Sequence, residues 1–375
     1  EKNPKQCIFY GLALVDIISH VNIDFVRQND IVPDSLTLTN YHKNPVFKKL
    51  EDHPMKILPG GATFNLMRML NFLVTEKESY SLLNTDYKLD PINIVALGSV
   101  TNDKFGDIFV STLKEEAITP CIEKQEDNKQ ISTGICAVVC AELENGKKER
   151  SLLTDMGSSL LLSEQYLGKT LSELGQKSGF IDNNLNLGLL FIESNMICFN
   201  KERVQTLLVE AHKKKSLIGF NIFKNKIFIE HAAEIRNLLE NSYFCFSNIA
   251  EFVYLISSVL KIPGYEGKEE LLEKMEIEKL VLIVAENTKN TNPNFSDKVF
   301  VVTNSSKPSF AFRYDFERKA IVEKVSSESI KVNSEEVVDT NGCGDSFVGG
   351  FLSAYLYGRN LETCLKQANL CGGLT

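Results

Sequence analysis

The feature that most constrains the fold is a regular alternation of helical and extended patterns in the second half of the chain. Amphipathic helical patterns alternate there with short apolar runs typical of buried strands, at 163–175, 188–192, 201–213, 217–222, 229–240 and 243–247. This alternation is typical of βαβ units, in which helices connect parallel strands. The sequence therefore predicts an α/β fold with a doubly wound, mostly parallel sheet flanked by helices.

Length and charge narrow the class of protein. A chain of 375 residues with 43% hydrophobic and 24% charged residues is typical of a globular protein with a full core. The net charge of −8 argues against a nucleic-acid binder, which would normally be basic. No apolar run approaches the roughly 20 residues that span a bilayer. We therefore expect neither nucleic acid nor membrane as a partner.

Cysteine usage and the N-terminus indicate the compartment. The chain has nine cysteines but no Cys-x-x-Cys pair, and the spacing does not suggest a disulfide framework or a zinc site. Residues 1–4 do not resemble a signal peptide. We expect a cytoplasmic protein, with the nucleus as a further location.

The most informative local stretch is DTNGCGDSFVGGF at 339–351. Gly342 and Gly344 allow a tight turn, and a small-residue apolar helix follows. The amides of this turn would lie at a helix N-terminus, where unpaired N–H groups and the helix dipole favour an anion. Asp345 adds a carboxylate in the same first turn. This arrangement suits phosphoryl transfer to a hydroxyl, although an ordinary helix cap uses the same residues.

A second glycine-rich turn, PGGATFN at 59–65, precedes apolar residues at helical spacing. Gly60 and Gly61 would let the backbone approach a ligand, and Asn65 would present an amide one turn later. These groups suit recognition of sugar hydroxyls. A Gly-Gly pair also opens helices that bind no ligand, so the turn alone leaves both interpretations open.

The apolar run 7–17 predicts one buried first strand that ends at a carboxylate, Asp16. Ligands of open α/β sheets bind at the carboxyl ends of parallel strands, so Asp16 is predicted to lie in the binding crevice. The alternative is a strand-end cap, because Asp favours turns.

The region before the α/β alternation contains β-rich segments. Two such runs, 131–141 and 150–154, flank an Asn-Gly pair and predict a hairpin that carries Arg150. Short alternating pieces occur at 21–25 and 36–38. A further turn at 102–106 follows a strand and opens a helix, and its Asp103 is predicted to be structural.

These motifs together resemble those of the PfkB (ribokinase-like) sugar and nucleoside kinases, and within that family most resemble the adenosine kinases. The stretch 339–351 matches the family's D-T-x-G-A-G-D except for Cys343 in place of alanine, and 60–65 matches G-G-x-x-x-N. Asn248 and Glu251 match the family's N-x-x-E, which on its own would predict only a capping box. The resemblance covers nearly the whole chain.

The resemblance implies a ribokinase-like fold with a small β-rich lid domain. The large domain would comprise 1–19, 59–119 and 155–375, and the lid 20–58 and 120–154.

The resemblance also implies an activity, the transfer of the ATP γ-phosphate to the 5′-hydroxyl of adenosine to give AMP for purine salvage. ATP would be the co-substrate, Mg²⁺ the cofactor, and the protein a monomer. The implied catalytic residues are Asp345 as base, the amides of Gly342, Cys343 and Gly344, and Arg150 in the lid. The implied ribose-binding residues are Asp16, Gly60, Gly61 and Asn65. The implied nucleotide-binding residues are Asn248, Glu251, Asp339, Thr340 and Asn341, with Glu251 also holding Mg²⁺ through water.

The sequence departs from the family on the ATP side. Residues 280–284 predict a strand, after which the family usually has T-x-G-x-x-G, but 285–290 contain no glycine and add the charge of Glu286. This predicts weak or less selective ATP binding; the alternative is that the loop is a neutral insertion and that backbone amides further along the chain reach the nucleotide. On the nucleoside side, Leu12 replaces the asparagine usual four residues before Asp16. Family sequences normally also continue beyond the helix predicted at 361–374.

Three other functions remain open at this point. The first is another sugar kinase of the same fold, such as a ribokinase. The second is a nucleoside-binding protein that has lost the use of ATP. The third is a regulatory protein that binds partners through the Asn-rich segment 285–296.

Overall fold

The fold is described from a computed structural model of the chain. The residues that the structure describes are 5–33, 35–75, 92–126, 130–142, 148–176, 187–331 and 342–375. Three predicted nucleotide-binding residues, Asp339, Thr340 and Asn341, lie outside the described residues. So does the Asn-Gly turn of the predicted hairpin.

The strands of the described chain fall into two sheets. In chain order they are β1 Lys5–Tyr10, β2 Leu14–Val21, β3 Leu36–Leu38, β4 Met55–Gly60, β5 Ile92–Thr101, β6 Thr119–Gln125, β7 Gly134–Glu142, β8 Lys148–Asp155, β9 Leu187–Glu193, β10 Leu217–Asn221, β11 Phe244–Asn248, β12 Asp297–Asn304, β13 Lys307–Asp315 and β14 Ala320–Ser327.

The helices connect and flank these strands. In chain order they are α1 Ile23–Gln28, α2 Pro45–Leu50, α3 Ala62–Thr75, α4 Lys104–Glu115, α5 Glu164–Gln176, α6 Ser194–Phe199, α7 Lys201–Lys213, α8 Ile227–Glu230, α9 Ala232–Asn241, α10 Ile249–Tyr254, α11 Glu269–Leu272, α12 Ile277–Glu286, α13 Cys343–Leu356 and α14 Leu361–Leu374.

The larger sheet has nine strands in the order β14-β13-β12-β11-β10-β9-β1-β5-β6. Strands β1, β9, β10, β11 and β12 pair in parallel, whereas β12–β13 and β13–β14 pair antiparallel. The alternation of strands and helices from β9 to β11 confirms the predicted doubly wound, mostly parallel sheet.

The smaller sheet has five strands in the order β3-β8-β7-β2-β4. Its strands β7 and β8 pair antiparallel, which confirms the two arms of the predicted hairpin. Strand β3 at 36–38 also agrees with the sequence pattern. The preceding piece, 21–25, was predicted as alternating, but helix α1 starts within it because the Asn22 side chain caps the amide of Phe25.

The predicted first strand, 7–17, is wrong as a single element. Strand β1 ends at Tyr10, and Asp16 is the third residue of β2 in the five-stranded sheet, where it pairs with Leu58 and Cys136. Every residue from 6 to 15 is buried, so the hydrophobic pattern contains no break between the two strands. Asp16 therefore does not lie at the carboxyl end of the first parallel strand.

The predicted strand at 280–284 is also wrong, because these residues lie inside helix α12. Its buried residues include Leu280, Val281 and Val284, which share one helical face. A short run of apolar residues fits a strand and a buried helix equally well, and here the longer helical period prevails.

The chain divides into two compact units. The first comprises 1–10, 65–95 and 169–375, and the second 11–64 and 96–168. The predicted lid segments, 20–58 and 120–154, fall within the second unit, while the predicted domain bounds remain a proposal. Within the described residues, no helix is long and apolar enough to cross a membrane.

Candidate active site

The anion-binding turn predicted at the C-terminal motif lies at the start of helix α13. Gly342 is its N-cap residue with φ +78°, a left-handed conformation that glycine adopts without strain. The helix begins at Cys343, so Gly344 and Asp345 follow in its first turn. The predicted helix N-terminus is therefore confirmed, with the helix dipole directed at whatever binds there.

Two cavities of the first unit share this helix N-terminus. The larger, about 630 Å³, is lined among others by Cys343, Gly344 and Asn248. The smaller, about 110 Å³, is lined among others by Gly344, Asp345 and Glu251. Gly344 thus lines both a large cavity and a small one that contains the carboxyl groups of Asp345 and Glu251.

Asn248 and Glu251 form a capping box at the start of helix α10. The Asn248 side chain accepts from the amide of Glu251 at 2.8 Å, and the Glu251 carboxylate accepts from the amide of Asn248 at 2.8 Å. Burial raises the pKa of Glu251 to about 7, while the hydrogen bond from Asn248 opposes this shift. A carboxyl group in a cavity with a pKa close to 7 is typical of a functional site.

Sequence reasoning missed Asn221 and Ser247, which also line the small cavity. Each is at least nine-tenths buried, and within the described chain neither Asn221 Oδ1 nor Ser247 Oγ has a hydrogen-bond partner. Buried polar atoms without partners are rare in native proteins. Asn221 ends the parallel strand β10 and pairs with Phe246, two residues before the end of β11, so the strand-end rule could have identified it.

Asn65 contacts Asp345 directly. Its Nδ2 donates to Asp345 Oδ2 at 3.2 Å, although the two residues are 280 positions apart. Asn65 lies in the first turn of α3, as predicted for the amide side chain one turn after the glycine pair. The structure thus joins the two motifs that the sequence analysis treated as separate.

In the second unit, Gly60 and Gly61 lie close to β2, the strand that carries Asp16, and to the residues just before it. A Cβ atom on Gly60 would lie 2.1 Å from Asp16 Cγ, so only glycine leaves room for this carboxylate. Gly61 has φ +90°, and its Cα approaches the backbone carbonyl of Leu12, where a Cβ would lie 2.2 Å from the oxygen. The glycine pair therefore shapes the environment of Asp16.

Arg150 lies on the same face of the five-stranded sheet as Asp16. The β7 residues Cys136 and Cys140 pair with Asp16 and Arg150 respectively, and residues two apart on a strand share a face. Burial raises the pKa of Cys136 to about 12, the charge of Asp16 adds to this shift, and the charge of Arg150 opposes it.

Asp103 is structural, as predicted. Its carboxylate caps helix α4 by accepting from the amide of Gly106 at 2.8 Å, and it also accepts from the amide of Thr133 at 2.8 Å.

The predicted ATP-side loop at 285–290 is misplaced, because it starts inside helix α12 and does not follow a strand. Part of the wall of the large cavity comes instead from the end of β12 and the turn after it, at 303–306. Ser305 takes φ +54° there, a left-handed conformation usually given to glycine. Glu286 is exposed at the end of α12 and does not line either cavity.

The asparagines of the segment 290–294 stabilise a loop through hydrogen bonds of their side chains. The amide of Asn292 donates to the side chain of Asn290, and the amide of Asn294 donates to that of Asn292. The Asn294 side chain also donates to the His212 carbonyl at 2.9 Å. These contacts give the Asn-rich segment a structural role.

The sequence is similar to a known protein family and to individual enzymes. Residues 228–375 match the profile of the pfkB family carbohydrate kinases. The adenosine kinase of Schizosaccharomyces pombe is 24% identical over 76% of this chain and 74% of its own, and that of Dictyostelium discoideum is 20% identical over 96% and 91%.

Solved structures agree on the fold. The adenosine kinase of Trypanosoma brucei brucei superposes with a TM-score of 0.74 at 18% identity, covering 98% of each chain. That of Schistosoma mansoni, solved with 2-fluoroadenosine, gives a TM-score of 0.75 at 16% identity, covering 100% of this chain and 95% of its own. The resemblance stated from the sequence is thereby confirmed at two levels: residues 228–375 match the profile of the pfkB family carbohydrate kinases, and the chain has the ribokinase-like fold of the adenosine kinase structures.

Proposed function

We propose that this protein is a nucleoside kinase that transfers the γ-phosphoryl group of ATP to the 5′-hydroxyl of adenosine. The observation that carries the proposal is the placement of Asp345 in the first turn of α13, where it lines the small cavity, while Cys343 and Gly344 of the same turn line the large cavity of about 630 Å³. The similarity to several adenosine kinases supports adenosine as the acceptor.

In this proposal, Asp345 accepts the proton of the attacking hydroxyl. The amides of Gly342, Cys343 and Gly344 bind the transferring phosphoryl group, where the helix dipole stabilises its negative charge. Phosphoryl transfer depends mainly on positioning and charge neutralisation, and a fixed helix N-terminus supplies both.

The residues of the small cavity fit a hydrated Mg²⁺ ion. Glu251 offers a carboxylate, and the unpartnered Asn221 Oδ1 offers an acceptor that a metal-bound water would satisfy. When bound, the ion would neutralise phosphate charge. A nearby cation also favours the ionised form of Glu251, whose pKa burial has raised.

The ribose would be held by Asp16, Gly60, Gly61 and Asn65. A carboxylate accepts hydrogen bonds from adjacent sugar hydroxyls, and Gly60 keeps space around the Asp16 carboxylate. Arg150 would supply a mobile positive charge to the transferring phosphate.

The decisive experiment is a panel of acceptors scored by ADP release with ATP and Mg²⁺. We expect kcat/KM for adenosine to exceed that for ribose or fructose by roughly 100-fold or more, because binding of the purine helps to position the 5′-hydroxyl. A free sugar that is phosphorylated as well as adenosine would identify a sugar kinase instead. Adenosine binding without ADP release would identify a non-catalytic binding protein.

A second test uses the negative charge of Glu273 to ask whether ATP binds in the large cavity. Glu273 lines the large cavity, whereas Glu286 does not. We expect Glu273→Gln to lower KM for ATP by roughly 2- to 5-fold at low ionic strength, since it removes a partly screened repulsion of the phosphates.

Glu286→Gln is the matched control and should leave KM for ATP unchanged. Steady-state kinetics with varied ATP, at two salt concentrations, measure both variants. An equal effect of the two substitutions would show that the large cavity is not the ATP site.

We further propose that the protein acts as a monomer in the cytoplasm. Light scattering of the purified chain tests the first statement, and imaging of a fluorescent fusion tests the second.

A further inference from the structure

We infer that Asn65 is a positioning residue for Asp345, and that Gly349 sets the helix spacing on which their contact depends. The inference rests on the proposed function only in naming Asp345 as the base. It assigns Asn65 a second task besides the sugar contact proposed above.

The contact itself is specific. Asn65 Nδ2 donates to Asp345 Oδ2 at 3.2 Å, and each residue lies in the first turn of its helix. An isolated Asp side chain rotates among several rotamers. A donor on Oδ2 restricts this rotation, so the carboxylate samples fewer orientations and is better positioned to act as a base.

Gly349 explains why the two helices approach closely enough. A Cβ atom on Gly349 would lie 2.5 Å from the Leu66 carbonyl oxygen and 2.9 Å from Met69 Cβ. Asp345 and Gly349 are four residues apart on α13, and Asn65 and Met69 are four residues apart on α3. Residues at this spacing share a helix face, so the close helix contact is one turn away from the hydrogen bond.

The hydrogen bond also has an electrostatic consequence. An N–H donor stabilises the ionised form of a carboxylate, which is the form that a base needs. A residue that contacts only the sugar would alter KM for the nucleoside and would leave the titration of Asp345 unchanged. The two roles therefore differ in a measurable property of the ligand-free protein.

The experiment measures the titration of Asp345 by carbon-13 NMR of protein labelled at aspartate carboxyls, with the signal assigned by its loss in Asp345→Asn. We expect Asn65→Ala to raise the titration midpoint because a donor is lost. Asn65→Asp should raise it by roughly one pH unit or more, because two carboxylates then share the contact. The acidic limb of the kcat–pH profile should move in the same direction.

Gly349→Ala should also raise the midpoint, because the added methyl group pushes α3 and its Asn65 away. Gly350→Ala is the matched control: it adds the same group to the same helix, but toward Cys371 on α14, where a Cβ would lie 2.8 Å from the sulfur. We expect no shift of the midpoint in this variant.

An unchanged midpoint in both Asn65 variants would overturn the inference. An unchanged midpoint in Gly349→Ala alone would overturn the role of Gly349. Asn65→Asp preserves the size of the side chain, so it decides the matter even if the alanine variant does not fold. If the wild-type protein phosphorylates no acceptor, the proposed function fails, while the titration of the ligand-free protein still decides this inference.

Discussion

Asp345→Asn is expected to lower kcat by at least about 100-fold, the usual contribution of a positioned general base. The substitution keeps the size of the side chain and the start of helix α13, but an amide does not take up the proton of the hydroxyl. Adenosine affinity, which depends on other residues in this proposal, should remain near that of the wild type. Steady-state kinetics and equilibrium binding of adenosine measure the two quantities separately.

Asp107→Asn is a suitable control for this substitution. Asp107 also lies in the first turn of a helix, α4, but it is exposed and pairs with Lys124 at 2.7 Å. Its replacement removes a surface ion pair, which contributes little to stability, and should leave kcat unchanged. Near-normal turnover of Asp345→Asn would refute the assignment of the base.

The success of the sequence predictions has a local cause. The turn before α13 needs a left-handed residue and the helix after it needs small apolar residues, and both demands are visible in consecutive positions around Gly342. The same holds for the capping box of Asn248 and Glu251. Features that a few neighbouring residues determine can be read from sequence without knowledge of the fold.

The failures arise where tertiary context decides. Residues 7–15 are all buried, so no polar residue marks the change from β1 to β2. The run 280–284 fits two secondary structures, and its packing in α12 selects the helix. The strand interpretation of this run places the ATP-side loop at 285–290, whereas the wall of the large cavity includes the end of β12 and the turn after it.

Contacts between motifs that are distant in the sequence could not be predicted from neighbouring residues either. Asn65 and Asp345 were each identified, but their hydrogen bond depends on the packing of α3 against Gly349. Asn221 gave no motif at all, and only its unpartnered oxygen in a small cavity makes it a candidate. Such residues are found by asking which buried polar atoms lack partners.

Gly60→Ala is expected to lower kcat/KM for adenosine by about 10- to 100-fold, mainly through KM. The new Cβ would lie within 2.3 Å of all three carboxyl atoms of Asp16, so the carboxylate must move away from its present position. Hydrogen bonds to a charged group contribute roughly 1.5–3 kcal/mol, which corresponds to this loss of affinity for the ribose hydroxyls. Kinetics at varied adenosine concentration measure the change.

A double-mutant cycle with Asp16→Ala tests whether the effect of Gly60→Ala acts through Asp16. Once the carboxylate is absent, the added methyl group has nothing to displace, so the double variant should bind adenosine about as weakly as Asp16→Ala alone. Gly98→Ala is the control, because a Cβ there would meet its nearest side chains, Ala13 and Phe64, at 3.4 Å, an ordinary contact distance. Fully additive effects of Gly60→Ala and Asp16→Ala would mean that Gly60 does not act through Asp16, and an adenosine KM left unchanged by Asp16→Ala alone would refute the ribose contact of Asp16.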